Sequence, residues 1–310
     1  AIYDRAKKTG AKFDFESVAP SPRKLMLLAA AVPAKESEPR ERLGACGRFF
    51  ANIGGGVIGK FSETKSTIGF LGDTVLAMLR VFSFRGRFRR CDLLLQVQKA
   101  GPEALPIVGL ISFLVGLILA FVGSVQLAKY GSEIYIADLV ALAMAREMGA
   151  IMVGIVMSGR TGAAFAAELG SMKVNEEISA YETFGISPMD FLVVPRILAL
   201  VAMFPLLTIF ADLIGIVGGF VIGWGLFGIN YEVYMARTAA SLTVTQCMTG
   251  VGKSLIFGIV VAMIGCMRGM RCEGSSESVG QGATSSVVES ITTIIVVDAI
   301  FAVIFTIYDI

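Results

Sequence analysis

The fold of this chain is decided by residues 104–128, ALPIVGLISFLVGLILAFVGSVQLA, which contain no charged side chain over 25 positions. A helix of about 20 apolar residues is long enough to cross the hydrocarbon core of a bilayer. Four further apolar stretches follow it, at residues 139–159, 191–225, 245–267 and 290–308. The sequence therefore predicts an all-α polytopic membrane protein with five transmembrane helices.

The overall composition also indicates a membrane protein. The 310 residues are 55% apolar and 17% charged, with a mean hydropathy of +0.73, whereas soluble domains carry about 25% charged residues. The chain has no histidine, and its five cysteines form no CxxC pair. Soluble globular proteins, disulfide scaffolds, histidine triads and histidine metal sites are therefore excluded. We predict neither catalytic residues nor metal ligands in this chain.

The distribution of charge predicts the orientation in the membrane. Residues 1–104 carry 18 Lys and Arg against 10 Asp and Glu, whereas the rest of the chain carries 9 against 15. Basic flanking segments stay in the cytoplasm, which predicts a cytoplasmic N-terminus. Residues 191–231 are long enough for one tilted helix or a hairpin of two. A single crossing keeps Arg268 and Arg271 in the cytoplasm, so we predict one crossing.

Three segments precede the spans. Residues 1–32 have the pattern of a partial α/β segment, and residues 33–47 form a charged linker. Residues 48–103 are apolar but interrupted by glycines and charges, which predicts interfacial or elbow helices. One helical face of this region consists of Ile68, Leu71, Val75, Leu76 and Leu79. The basic cluster after it favours an anionic membrane surface over a nucleic-acid contact; it contains Arg80, Arg85, Arg87, Arg89 and Arg90.

Two glycine motifs resemble nucleotide-binding loops but lack the required context. Gly54-x-Gly56-x-x-Gly59 follows no buried strand and lies in no βαβ unit. Residues 250–254, GVGKS, end like a phosphate-binding loop, but the leading glycine is replaced by Cys247 and a membrane span follows. The chain therefore carries no recognisable ATP site, and any ATP-driven step requires a partner.

Glycines recur at a spacing of four in two of the spans. Gly215, Gly219 and Gly223 share one helical face, as do Gly265 and Gly269. Small residues at this spacing let helix backbones approach closely in lipid. The pattern favours tight packing within one subunit, with a dimer interface as the alternative.

Charged residues interrupt three of the spans. Arg146 and Glu147 lie in the second span, and Asp212 and Asp298 lie in the third and fifth. A charge at the bilayer centre costs roughly 2.5–3.5 kcal/mol on insertion scales, so each needs a partner or water. Adjacent helical residues point about 100° apart, so Arg146 and Glu147 are not expected to pair well. We predict that they line a substrate path, with interhelical ion pairing as the alternative. For Asp212 and Asp298 we favour ion pairing.

Residues 158–189 predict a cytoplasmic helical excursion with a hinge of small residues at its start. Three acidic residues, Glu176, Glu177 and Glu182, form a face that suits a basic partner. Phe184 and Ile186 suit an apolar groove on the same partner. A solvated loop without a partner is the alternative.

Several short motifs occur in a fixed order along the spans. They are AREMG at 145–149, GRTG at 159–162, AELGSM at 167–172, NEE at 175–177 and PR at 195–196. In these motifs the chain resembles the MlaE-type permeases, the membrane subunits of Mce/Mla lipid-transport ABC systems. The resemblance covers residues 60–310, and residues 1–32 look like the end of a STAS domain.

The resemblance implies a fold and an assembly. The fold is an interfacial elbow helix plus five transmembrane helices with a cytoplasmic coupling helix, and residues 104–310 form the permease domain. The implied assembly is a homodimer in the cell inner membrane. Its partners are an ABC ATPase that binds ATP and Mg²⁺, a periplasmic Mce-domain protein and a STAS-domain protein. This chain itself is expected to hold no cofactor.

The resemblance also implies roles for particular residues. Arg146 and Glu147 would line a lipid cavity. The residues expected to couple to the ATPase are Glu168, Asn175, Glu176, Glu177, Glu182 and Phe184. One departure is Ser179, where many members carry an acidic residue. The implied function is to move phospholipid between the inner membrane and the periplasmic carrier, in the maintenance of outer-membrane lipid asymmetry.

Other function classes differ in what they require. A proton-coupled secondary transporter would use Glu147 and Asp298 as a relay and would need no ATPase. A membrane-embedded enzyme would need a nucleophile with a base, or a metal cluster, and the sequence offers neither. A structural scaffold would tolerate neutral replacement of every intramembrane charge.

Overall fold

The computed structural model describes residues 65–81, 90–272 and 274–308. They belong to one compact unit, residues 62–310. The described residues form helices joined by short turns and contain no strand. The predicted STAS-like segment, the linker 33–47 and residues 48–64 and 82–89 of the predicted elbow region lie outside the described part of the chain. Residues 82–89 include Arg85, Arg87 and Arg89 of the predicted basic cluster.

Five helical stretches among the described residues are long and apolar enough to cross a membrane, which confirms the predicted fold class. They are Cys91–Tyr130, Glu133–Val174, Met189–Phe227, Val244–Met270 and Ser276–Ile307. The ambiguous region 191–231 contains one long helix, which is α-helical from Val194 to Phe227 with Pro205 inside it. A single crossing of the membrane by residues 191–231 requires one continuous helix of this kind.

We number the helices in chain order. They are α1 at 65–81, α2 at Arg90–Ala100, α3 at Leu105–Leu127, α4 at Glu133–Val174, α5 at Glu177–Thr183, α6 at Met189–Phe227, α7 at Tyr231–Ser241, α8 at Val244–Met270 and α9 at Ser276–Ile307. The alternation of the spans places α5, the start of α3 and the α8–α9 turn at one end of the bundle, called here the α5 end. The opposite end carries α7 and is called the α7 end.

Helix α4 extends well past the predicted second span. It consists of α-helical segments at Ile136–Ala143, Gly149–Met157 and Ala163–Val174. Two π-helical turns, Met144–Met148 and Ser158–Gly162, join them. Residues 158–174 of the predicted helical excursion are therefore continuous with the second span, and the small residues expected to form a hinge form a π turn inside one helix.

Helix α9 also begins earlier than predicted. Residues 268–286 are rich in glycine and serine, a composition that predicts a loop. Instead α8 continues to Met270 and α9 starts at Ser276, where Ser275 caps its first turn. The loop prediction is wrong because the small residues let α9 pack closely on its neighbours. The Ser286 hydroxyl lies 3.5 Å from the carbonyl oxygen of Gly162 in α4, and Ser286 is fully buried.

Helix α1 presents the apolar face that the sequence predicted for membrane contact. Its members are between 48% and 64% exposed in this chain, and they are Ile68, Leu71, Val75, Leu76 and Leu79. Thr74 and Ala77 are buried against the bundle. At the α5 end, the Arg271 guanidinium donates to the hydroxyls of Ser66 and Thr67, each at 3.0 Å. This arrangement suits an elbow helix at the membrane surface.

The glycine faces pack inside the chain. A Cβ atom at Gly116 of α3 would overlap the carbonyl oxygen of Gly215 in α6. A Cβ atom at Gly265 of α8 would lie 2.8 Å from the carbonyl oxygen of Gly162 in α4. The predicted small-residue faces therefore serve helix contacts within this subunit.

Candidate functional site

A π-helical turn in α4 carries the first two charged residues of the site. The turn spans Met144–Met148 and includes Arg146 and Glu147. A π turn adds a residue to the helical repeat, and such turns are frequent at functional sites. It changes the directions of the two side chains, so that Arg146 Nε lies 3.9 Å from Glu147 Oε1. This is a loose contact, at the outer limit for an ion pair.

A buried lysine from α8 joins the same cluster. Lys253 is fully buried, and its ammonium forms an ion pair with the Glu147 carboxylate. The same Nζ atom lies 3.1 Å from Asp298 Oδ1 of α9 and 5.5 Å from the centre of the Phe305 ring. Lys253 therefore links α4, α8 and α9 through two carboxylates.

The ion cluster of Arg146, Glu147, Lys253 and Asp298 lies inside the apolar part of the bundle. Lys253 is nine residues from the start of α8, and Asp298 is nine residues from the end of α9. Both are about 14 Å from the α7 end at 1.5 Å per residue. Burying a charge is tolerated where an opposite charge compensates it, and this cluster contains two of each sign. Its net charge is zero.

Arg146 is the member with the weakest pairing. Its side chain is 30% exposed, and the loose contact with Glu147 is the one ion pair that it makes with a described residue. Guanidinium groups bind phosphate through two parallel hydrogen bonds. Arg146 therefore keeps a partly exposed positive charge beside apolar helices.

Asp212 does not join this cluster. Its Oδ1 atom is buried and has no hydrogen-bond partner within the described part of the chain. A Cβ atom at Gly149 would overlap this oxygen, so the carboxyl group packs directly on α4 just after the π turn. The ion pair predicted for Asp212 is not present among the described residues, whereas the one favoured for Asp298 is formed with Lys253.

Sequence reasoning missed Lys253. The residue belongs to the GVGKS stretch, which resembles the end of a phosphate-binding loop. The signal was present, since Lys253 is a charged residue within an apolar helix of 27 residues. Its partners lie 106 and 45 positions away, a separation that local spacing does not reveal.

The predicted coupling segment forms a short exposed helix at the α5 end. Helix α5 follows Glu176, whose left-handed backbone (φ of 61°) turns the chain after α4. Ile178 is fully buried and anchors α5 on the bundle. The predicted contact residues outside this anchor are exposed, namely Asn175, Glu176, Glu177, Glu182 and Phe184. The geometry presents an acidic and aromatic surface to the outside.

Glu168 has a different environment from the other predicted coupling residues. Its carboxylate pairs with Lys99 of α2 at 3.0 Å and with Arg196 of α6 at 3.1 Å. The Arg196 side chain is buried, also donates to the carbonyl oxygen of Leu192 at 2.7 Å and lies over the Phe165 ring. Glu168 thus connects three helices within the chain, behind the exposed α5 surface.

The helices that carry these residues match a known family. The family model described as Permease MlaE matches residues 93–304, about two thirds of the chain. The chain belongs to the MlaE permease family. The matched region contains the ion cluster, α5 and all five candidate spans except the ends of the first and last. As an MlaE family member with five apolar helices, the chain is a multi-pass transport component rather than a catalytic enzyme.

Individual relatives extend the comparison. The chain is 32% identical over 212 residues to a probable ABC transporter permease protein of Synechocystis sp., covering 68% of this chain and 81% of the relative. It is 30% identical over 209 residues to the intermembrane phospholipid transport system permease protein MlaE of Haemophilus influenzae, covering 67% of this chain and 80% of the relative. It is 30% identical over 231 residues to the chloroplastic protein TRIGALACTOSYLDIACYLGLYCEROL 1 of Arabidopsis thaliana, covering 74% of this chain and 65% of the relative.

Proposed function

We propose that this chain is the permease subunit of an ABC-type phospholipid transporter in the cell inner membrane. It works as a homodimer with its N-terminus in the cytoplasm. A separate ATPase subunit binds ATP and Mg²⁺, and a periplasmic Mce-domain protein exchanges lipid with the permease. A STAS-domain protein is a further partner at the cytoplasmic side. The observation that carries the proposal is the partly exposed Arg146 at the edge of a neutral ion cluster inside an apolar bundle.

A phospholipid fits the chemistry of this site. Acyl chains require an apolar surface, which the surrounding helices supply, and a phosphate group is a strong acceptor for a guanidinium. Glu147 is already held by Lys253, so Arg146 is the member of the cluster with a cation to offer. The Haemophilus influenzae relative is named as a phospholipid transport permease, and this name supports phospholipid as the cargo proposed here.

We expect Arg146→Ala to reduce phospholipid transfer by about tenfold or more, because a hydrogen bond to a charged group contributes roughly 1.5–3 kcal/mol. The fold should be kept, since Arg146 makes one loose ion pair. The measurement is transfer of labelled phospholipid by the purified complex in proteoliposomes. Arg237→Ala is the matched control, because Arg237 is similarly exposed at the α7 end and pairs with Asp138 at 3.6 Å. Unchanged transfer by Arg146→Ala would remove this residue from the lipid path.

The exposed α5 surface is proposed to dock the ATPase. Helix α5 is anchored by buried Ile178, while Glu177 and Phe184 face outward. An acidic surface with an aromatic residue at its edge suits a groove that is basic at its rim and apolar at its floor. Movement of the ATPase subunits would then be transmitted to α4, which ends directly before α5.

We expect Glu177→Lys to lower co-purification of the ATPase by about tenfold, since a reversed charge at a docking surface creates like-charge repulsion. The permease itself should remain folded because Glu177 is exposed. Glu232→Lys is the control, as Glu232 is an exposed acidic residue of α7 at the opposite end. Equal ATPase recovery and equal ATPase stimulation for both variants would contradict the docking assignment.

The whole assembly is tested by purifying the chain from its native host in mild detergent and identifying bound proteins and lipids by mass spectrometry. Recovery of an ATPase, an Mce-domain protein and phospholipid would support the proposal. Recovery of the chain without an ATPase would favour the proton-coupled transporter, which predicts transport that depends on a proton gradient.

A further inference from the structure

A second group of charged residues surrounds a cavity at the α5 end. The cavity has a volume of about 310 Å³ and lies in the corner between α4 and the turn that joins α2 to α3. Its charged lining consists of Lys99, Glu103, Arg160 and Glu168. Buried Phe165 contributes an apolar wall. This cavity is separate from the ion cluster at Lys253.

The cavity lies at the boundary of the apolar region. Glu103 is the last charged residue before the uncharged stretch 104–128, and Arg160 follows the uncharged residues 148–159 of α4. In a membrane, the point where both helices become polar corresponds to the headgroup layer of one leaflet. The cavity therefore opens at the depth where phospholipid headgroups lie.

Arg160 is held in position by one strong hydrogen bond, whereas the ion-pair partner of its second terminal nitrogen can be replaced by a ligand. Its Nη1 donates to the backbone carbonyl oxygen of Lys99 at 2.8 Å, which fixes the plane of the group. Its Nη2 lies 3.3 Å from Glu103 Oε2, and the two side chains are 31% and 50% exposed. An ion pair with this exposure contributes little net stability, so a ligand phosphate can replace the carboxylate.

The four charged side chains that line the cavity form two ion pairs, and Glu168 also pairs with Arg196, which is buried outside the lining. Besides Arg160 and Glu103, Lys99 Nζ lies 3.0 Å from Glu168 Oε1, and these side chains are 41% and 38% exposed. A headgroup with both a phosphate and an ammonium would pair with one cation and one carboxylate at once. A purely anionic headgroup would pair with the cations alone and would be repelled by the carboxylates.

The geometry points to a binding site for a zwitterionic phosphoethanolamine headgroup of a membrane phospholipid, with Arg160 on its phosphate and Glu103 on its ammonium. This inference rests on the proposed function, since it names the headgroup class that the permease recognises at the α5 end. The source is a lipid of the surrounding bilayer, because the cavity lies at headgroup depth.

The test compares two lipids on the purified full chain in detergent. Phosphatidylethanolamine and phosphatidylglycerol with identical acyl chains are titrated onto delipidated protein, and bound lipid is counted by native mass spectrometry. We expect the parent to prefer phosphatidylethanolamine by about fivefold, the factor that corresponds to roughly 1 kcal/mol from a partly exposed charge pair. Equal binding of the two lipids by the parent would overturn the inference.

Three variants connect the preference to this cavity. Arg160→Gln and Glu103→Gln should each abolish the preference for phosphatidylethanolamine. Glu103→Gln keeps the hydrogen bond from Arg160 to the Lys99 carbonyl oxygen, so it serves as the test if the Arg160→Gln protein does not fold. Arg268→Gln should keep the preference, because Arg268 lies at the same end but pairs with Glu289 at 2.6 Å outside the cavity. A preference that survives in folded Arg160→Gln or Glu103→Gln protein would also overturn the inference. Phospholipid transfer is measured separately, so failure of the proposed function is distinguishable.

Discussion

Replacement of Lys253 with alanine is expected to lower the free energy of unfolding by about 3–5 kcal/mol, the cost of leaving buried charges without their partner. Lys253 is fully buried and forms ion pairs with both Glu147 and Asp298, whose Oδ1 atom lies 3.1 Å from Nζ. Without the ammonium, two carboxylates of the same sign would remain close together inside the bundle. The measurement is the midpoint of thermal unfolding in detergent, together with the yield of monodisperse protein.

The matched comparison removes Lys253 together with both carboxylates that it pairs with. The variant Lys253→Met, Glu147→Gln and Asp298→Asn buries no carboxylate without its partner and leaves Arg146, which is 30% exposed, as the remaining charge, so we expect it to recover part of the lost stability. Lys129→Ala serves as the control for losing a lysine, because Lys129 is exposed at the α7 end. If Lys253→Ala were as stable as the parent, or the triple variant no more stable than Lys253→Ala, the ion cluster would have no stabilising role.

The triple variant also separates structure from function. A folded triple variant that no longer transfers phospholipid, although Arg146 is still present, would show that the three replaced charges act in transport and not only in packing. A structural scaffold predicts the opposite, since it would tolerate neutral replacement of each intramembrane charge. The comparison is informative because all three replacements keep the approximate size of the side chain.

The five spans could be predicted from the sequence because lipid leaves few alternatives. A stretch of about 20 apolar residues in a bilayer has to satisfy its backbone internally, and a helix does so within one segment. Residues 104–128 and 245–267 therefore predicted helices close to the observed Leu105–Leu127 and Val244–Met270. The exposed apolar face of α1 followed from its helical spacing in the same way.

The polar ends of the helices were predicted less completely than the apolar spans. Residues 160–174 were predicted as part of a helical excursion, whereas residues 276–286 are mainly small and polar and have weak helical preference in isolation. Their helices are stabilised by packing of α4 against α8 and α9, where Gly162 meets Gly265 and Ser286. Tertiary contacts of this kind are not visible in local spacing.

The candidate site could be predicted in part. The sequence identified Arg146, Glu147 and Asp298 as costly intramembrane charges, because each interrupts an apolar stretch. It did not identify the residue that connects them, since Lys253 lies in another helix and resembled the end of a phosphate-binding loop. The π turn that carries Arg146 and Glu147 was also unforeseen, because it depends on how α4 packs on α6 and α8.

Replacement of Gly250 with alanine is expected to have the second large effect. A Cβ atom at Gly250 would overlap the carbonyl oxygen of Ala145 in the π turn of α4. Relief of this overlap requires α8 to move away from α4, which would separate Lys253 from Glu147. Overpacking of this kind costs about 1–3 kcal/mol, and phospholipid transfer should fall together with the unfolding midpoint.

Gly252→Ala is the matched control, two residues away in the same helix. No atom lies within 4 Å of a Cβ built at Gly252, and alanine favours a helix interior over glycine by up to about 1 kcal/mol. We therefore expect Gly252→Ala to be neutral or slightly stabilising and to transfer phospholipid normally. If the two variants behaved alike, the close approach of α8 to the π turn would not control the ion cluster. A loss confined to Gly250→Ala would show that one methyl group at the contact between α8 and the π turn of α4 is enough to disturb the site, because Gly250 permits this close approach.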